Sequence, residues 1–275
     1  MKFKPVIKWS GSKRSQSESI IELFPKEIKT YYEPFCGGAS ILRQLLTSDI
    51  KVDNYICSDY NEGLIDLWNK IINNPDEVFN NYERMWNEMN CNDDRDFKRQ
   101  YFYKIRKRYN EFKNPYDFMF IMRTTINGMP RYNKKGEFNN SFHITRDGII
   151  PKNFKPIIAE WNKLLNENNV QFIYQSYEDI ITIEGDLLYL DPPYANTKGM
   201  YYGAIDYTKL WSWIRKQDGK YLLSFDGKVN EEDFTFNVPE DVYSEHLYLH
   251  NGNSSFRRTI GKSNDSIVKE SLYIK

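Results

Sequence analysis

The sequence predicts an α/β fold: a mixed, mostly parallel sheet with helices on both faces, interrupted by an inserted, largely helical segment carrying a β-hairpin. Three observations predict it. Short apolar runs of strand length alternate with helical-period stretches in both the first and the last parts of the chain. The loops after three of those runs carry Gly-Gly, Asp or Pro-Pro, where an open α/β sheet builds sites. From Asn73 to about Phe154 the alternation stops and the chain turns polar, basic and aromatic. The expected division is residues 1–72 with 155–275 as one sheet domain, and 73–154 as an insertion between its halves.

Each element has a local reason. Ser12 to Leu23 reads as a helix opened by a Gly/Ser turn, and Thr30–Glu33 as a strand running into Pro34-Phe35-Cys36-Gly37-Gly38. Ile41, Leu42, Leu45 and Leu46 fall on one helical face. Asp53–Ser58 is a second strand, and Leu64, Leu67, Trp68 and Ile71 mark a helix over 64–72. In the insertion, the turn Tyr132-Asn133-Lys134-Lys135-Gly136-Glu137-Phe138 is flanked by alternating residues and predicts a hairpin. Helix 157–166, strand 170–174, strand 187–190, helix 207–216 and strand 221–225 restore the α/β pattern. Late strands at 247–249 and 271–274 complete it.

Composition bounds the function. Of 275 residues, 16% are aromatic, enough for a substantial core despite a 28% charged fraction. No apolar run reaches the roughly 18 residues of a membrane span, and Met1 to Gly11 has no apolar signal region. Cys36, Cys57 and Cys91 give neither a disulfide framework nor a metal-ligand spacing, and His143, His246 and His250 stand apart from them. A reducing cytoplasm, no membrane and no metal are expected. Net charge is zero, yet Arg95 to Lys135 holds 12 basic residues and 3 acids, a local +9. Tyr101, Phe102, Tyr103, Tyr109 and Phe112 interleave with these charges. A basic run by itself is usually a solvated helix face; with aromatics it suits nucleic acid.

Three motifs carry chemistry. A strand, Gly37-Gly38 and a helix start let a ligand approach bare backbone, and Asp59, 21 positions after Gly38, ends the next strand where ribose hydroxyls are held in nucleotide sites. Asp191-Pro192-Pro193-Tyr194 follows the strand Leu187–Leu190. Prolines lack N–H donors, so a carboxylate beside their carbonyls makes an acceptor-only pocket suited to a planar amino group, with Tyr194 as a stacking face. Lys8-Trp9-Ser10-Gly11-Ser12-Lys13 places a cation and an aromatic beside a small-residue turn, suited to a zwitterion.

In that order these motifs resemble those of the Dam-type DNA adenine-N6 methyltransferases: Lys-Trp-x-Gly-x-Lys, an acid followed by Pro-Phe-x-Gly-Gly, an Asp after the second strand, and Asp-Pro-Pro-Tyr. Arg131 to Asn139 is similar to the family's Arg-x-Asn-x-x-Gly-x-Phe-Asn signature, and Glu270–Ile274 to its late strand. The resemblance covers essentially the whole chain. It departs at Ser12, where a second Gly is usual, at Asn140-Ser141-Phe142, and after Tyr194.

The resemblance implies a Rossmann-like methyltransferase fold, S-adenosylmethionine as donor with S-adenosylhomocysteine as product, and transfer to N6 of a flipped adenine in double-stranded DNA. It implies cofactor contacts from Trp9, Lys13, Glu33, Phe35, Gly37, Gly38, Asp59, Phe172, Ile173 and Asp191. It implies catalytic roles for Asp191, Pro192 and Tyr194. Residues 73–154 become a target-recognition domain, with Arg106, Lys107, Arg108, Arg123, Asn127, Arg131, Asn133 and Lys134 on DNA. Lysines and arginines from Lys98 to Arg108 are expected on phosphates. A monomer in a prokaryotic cytoplasm or on viral DNA is expected, with a cognate restriction endonuclease as a possible but unneeded partner. The same acceptor pocket would serve cytosine N4 or RNA adenine, and a non-catalytic DNA-binding descendant is the reading from another class.

Overall fold

A computed structural model describes residues 4–193, 205–251 and 268–275. The chain forms two compact units, residues 1–11 with 59–174 and 199–203, and residues 12–58 with 175–198 and 204–275.

The second unit contains most of the sheet. Strands β1 (Glu27–Glu33), β2 (Lys51–Asp59), β4 (Leu187–Leu190), β5 (Lys220–Val229), β7 (Glu245–Asn251) and β8 (Val268–Ile274) run in the order β2-β1-β4-β5-β8-β7, and β6 (Glu232–Asp233) pairs with β5. The pairs β2/β1, β1/β4 and β4/β5 are parallel, while β5/β8 and β8/β7 are antiparallel. All four residues of β4 are buried, as a central parallel strand covered on both faces requires. On one face Leu188 and Leu190 pack with Leu210, Trp213 and Ile214 of α8 (Tyr207–Ile214). On the other, Tyr31 pairs in register with Leu187 and meets Phe24, 5.9 Å between ring centres, just beyond α1 (Ser17–Ile21). The expected mostly parallel α/β sheet is therefore present, with β4 at its expected bounds and β1, β2, β5, β7 and β8 longer than the apolar runs alone indicated.

The expected helix over 12–23 is instead a 3-10 turn at Lys13–Ser15 followed by the five-residue α1. Ser17 Oγ donates to Arg14 O at 3.2 Å, a local side-chain bond that competes with the helical ladder. Lys13 is also drawn inward, 4% exposed. Helix α2 (Ser40–Leu45) follows the Gly-Gly loop.

The first unit is largely helical: α3 (Glu62–Asn73), α4 (Pro75–Met89), α5 (Arg95–Phe112), α6 (Pro115–Thr124) and α7 (Pro151–Glu167), with strand β3 (Gln171–Tyr174). Asn61, Asp94 and Asn114 cap α3, α5 and α6 through their side chains. The whole span 73–154 lies in this unit, which also takes α3, α7 and β3. Packing explains the wider boundary. Trp68 of α3 stacks on Phe172 of β3 (5.1 Å, 8°) and packs on Trp161 of α7 (4.9 Å). Asn162 of α7 donates to the carbonyls of Ile71 and Ile72. The hairpin is a tight turn closed by one bridge, Tyr132 to Phe138. Asn133 Oδ1 accepts from the N–H groups of Lys135 (2.9 Å) and Glu137 (3.0 Å).

Candidate active site

The carboxyl ends of adjacent β1 and β4 deliver the two central motifs of the second unit. Beyond β4, Asp191 accepts an ion pair from Lys13, with Nζ 2.8 Å from Oδ1. Glu270 of β8 reaches the same ammonium, at 3.4 Å. Lys13 is buried, 4% exposed, while the two carboxylates retain 19% and 16% exposure. Tyr189, two residues before Asp191, is fully buried and shares a 2.7 Å hydrogen bond with Ser224. The sequence reading assigned Lys13 to a ligand carboxylate; the structure assigns its charge to Asp191 and Glu270. Glu270 was seen in the sequence only as part of a late strand, since nothing local marks a strand glutamate as a neighbour of Lys13.

The Glu33–Ser40 loop is held from inside. Glu33 is buried, and its Oε2 accepts from Tyr31 OH (2.8 Å) and Leu42 N (3.0 Å), fastening the loop to α2. Burial pushes its carboxyl up to about 8, opposed by those two hydrogen bonds and helped by the charge of Asp191. Gly37 (φ 44°) and Ala39 (φ 51°) take left-handed conformations, and Cys36 N donates to Ser58 O at 3.0 Å. Phe35 is half-buried, 5.5 Å from the ring of Tyr177, and Ser12 Oγ meets Ser40 Oγ at 2.5 Å. Gly37 and Gly38 are buried in the turn itself.

The first unit holds Trp9, Asp59, Phe172 and Ile173. Trp9 is half-buried on a segment anchored by Ser10 N to Gly128 O at 3.0 Å. Gly128 is required there: its φ is +63°, and a Cβ would lie 2.5–2.7 Å from Lys8 atoms. Asp59 is half-buried and accepts from Asn61 N at 3.0 Å. Asn61 in turn donates to Tyr132 OH at 2.8 Å, joining the Asp59 turn to the hairpin. Sequence reading missed Asn61, although an Asn before a helical run is a capping pattern. It also missed Tyr60, 55% exposed and 5.9 Å from the ring of Tyr174. Phe172 corrects an expectation. It is buried against Trp68 and faces the core, because successive strand residues point to opposite faces. Ile173 is half-buried.

The basic segment divides in two. Lys98 is 5% exposed and lies 2.9 Å from Asp147, which Arg95 also contacts. Arg108 holds buried Asp117 through two hydrogen bonds, at 2.7 and 2.5 Å. Arg106 donates to Asn140 O at 2.9 Å and lies over Tyr103. Arg123 is 5% exposed, donates to Pro5 O and covers Phe154; burial lowers its pKa to about 10. Lys98 and Arg123 are thus corrected from surface contacts to interior ties, since their partner groups lie far off in sequence. Asn133 is engaged in its turn, and half-buried Asn127 adopts φ 57°. Lys107, Arg131 and Lys134 stand exposed. Tyr194 lies outside the described residues. Among those residues, no helix is long and apolar enough to cross a membrane, and no group of His, Cys, Asp and Glu is arranged to hold a metal ion.

Comparisons with known proteins agree with the motifs. The family model for D12 class N6 adenine-specific DNA methyltransferases matches residues 9–229. A type II methyltransferase of Methanocaldococcus jannaschii is 32% identical, over 70% of this chain and 70% of its own. A type II methyltransferase of Paramecium bursaria Chlorella virus NC1A is 24% identical over 99% of both chains. The DNA adenine methylase of Escherichia coli K12 is 30% identical, over 69% of this chain and 64% of its own. With most of its length matched, including both motif-bearing strand ends, this chain belongs to the D12 class of N6 adenine-specific DNA methyltransferases.

Proposed function

We propose that the chain methylates N6 of an adenine turned out of duplex DNA, with S-adenosylmethionine as donor and Asp191 and the Pro192 carbonyl as the groups that orient the amino nitrogen. The observation that carries this reading is Asp191 at the carboxyl end of β4, fixed through Oδ1 by Lys13 at 2.8 Å and followed by two prolines. An adenine amino group is a weak nucleophile because its lone pair is delocalised into the ring. Accepting its two N–H bonds at a carboxylate and a carbonyl turns the lone pair out of the ring plane and raises its basicity. The bound donor supplies a methyl group on a sulfonium. The N6–carbon bond forms as the carbon–sulfur bond breaks, and one N6 proton leaves to Asp191 or through it to water.

Each unit by itself offers groups suited to that cofactor. In the second unit the half-buried Phe35 ring beside the Gly37-Gly38 turn suits it, and in the first unit the half-buried Asp59 carboxylate suits vicinal hydroxyls. The exposed ring of Tyr60 beside Asp59 suits a purine. Trp9 and Ile173 remain assigned to the cofactor, and Tyr194 to stacking on the target base. Glu33 acts by holding the Gly-Gly loop in place. Residues 73–154 serve as the target-recognition region, and Lys107, Arg131 and Lys134 meet the DNA. The test is transfer of a labelled methyl group to long unmodified duplex DNA, with products mapped at single-base resolution. N6-methyladenine in one recurring context is expected, and Asp191→Ala should lower the rate by about 100-fold or more. Turnover retained in that variant, or label on cytosine or RNA alone, overturns the reading.

A further inference from the structure

We infer that Glu270 is a positioning residue for methyl transfer, acting on Asp191 through Lys13. The inference rests on the role given to Asp191 above. Two carboxylates from different elements share one buried ammonium, Asp191 at 2.8 Å after β4 and Glu270 at 3.4 Å within β8. Glu270 sits opposite Leu249 of β7 in the antiparallel ladder, so its backbone is held by strand pairing. One carboxylate would already compensate Lys13. The second changes how that ammonium is held.

Alone with Asp191, the ammonium would be free to swing across both carboxylate oxygens and compete for the lone pairs that accept amino hydrogens. Glu270 pins it from a second strand, so Asp191 keeps one orientation. The buried hydroxyl of Tyr189 lies among the same carboxylates. Its hydroxyl is held far above its ordinary range, first by burial, then by Asp191, with Glu270 and Glu33 contributing.

The experiment is single-turnover methylation of duplex DNA by the full chain, with saturating S-adenosylmethionine, for Glu270→Gln, Glu270→Asp, Lys13→Met and the Lys13→Met/Glu270→Gln double variant. Glu245→Gln, an exposed carboxylate on β7, is the control. Glu270→Gln should slow transfer by about 10- to 100-fold, the scale of a sub-ångström misplacement, with cofactor and DNA binding within about twofold of wild type. Glu270→Asp, which keeps the charge, should recover most of that rate. In the Lys13→Met background Glu270→Gln should add less than about twofold, because the path through Lys13 is already gone. A wild-type rate in Glu270→Gln overturns the inference. So does an equal loss in both backgrounds, or a loss matched by weaker binding and not restored by Asp. If Glu270→Gln fails to fold, Glu270→Ala compared with and without Lys13→Met makes the same test. A wild-type chain that methylates no DNA overturns the functional reading itself, a separate result.

Discussion

Glu33 is a carboxyl buried so fully that it titrates near 8, and its two hydrogen bonds hold a loop rather than a ligand. Its folded-state pKa lies above the unfolded value, so the folded state binds the extra proton. Stability should therefore fall as pH rises from the ordinary carboxylate range to about 8. His143 and His246, both depressed chiefly by burial, act in the opposite direction over part of that window. The difference between Glu33→Gln and wild type isolates the carboxyl. The variant should gain on wild type in denaturant midpoint between pH 5 and 8, and parallel pH curves would exclude a protonated Glu33. Arg108 makes the matching case in the first unit. Arg108→Ala leaves Asp117, 1% exposed, without its guanidinium, and should cost about 1–3 kcal/mol. Urea unfolding measures it, and an unchanged midpoint would show that water replaces the arginine.

At the level of elements, α5 and the hairpin together explain why a net +9 stretch is not simply a DNA-facing surface. Asp93 and Asp147, outside the stretch, draw Lys98 inward, and Asp117 within it takes Arg108. Of the basic residues left exposed, Lys107 on α5 and Arg131 and Lys134 on the hairpin are the ones proposed to meet phosphates. Replacing those three with Ala should weaken DNA binding and flatten its dependence on log salt by about one unit per lost contact. Folding stability should change by less than about 0.5 kcal/mol, as for surface sites. An unaltered salt slope would place the phosphate footprint elsewhere. The hairpin itself is stiffened at both ends. Asn133 closes its turn, and Asn140 donates to the carbonyls of Ile126 and Met129 at 2.9 and 3.1 Å.

At the scale of the molecule, the first unit is pinned by an aromatic stack that joins α3, α7 and β3. Trp68→Ala should destabilise it by about 3–5 kcal/mol, through lost transfer energy and the cavity left behind. Loss of only a few tenths in equilibrium denaturation would mean that the helices collapse into the gap. The same stack turns the Phe172 ring into the core. Cofactor binding has its own global readout: S-adenosylhomocysteine at 100 times its Kd should stabilise the fold by about 2.7 kcal/mol. Asp59→Ala should lose most of that shift while its ligand-free midpoint stays near wild type. An undiminished shift would remove Asp59 from the cofactor site.

Sequence by itself determined the α/β order, the Gly-Gly loop, the Asp59 turn and the Asp191-Pro192-Pro193 strand end. Each of these is a local pattern in which residue type fixes backbone geometry or hydrogen-bond capacity within a few positions. Tertiary structure alone decided which charges are spent and which remain. Lys13 belongs to Asp191 and Glu270, Arg123 to Pro5 and Phe154, and Lys98 to Asp147. The physical reason is that a buried charge must find a partner wherever the fold places one, and that partner can lie more than 100 residues away in the chain.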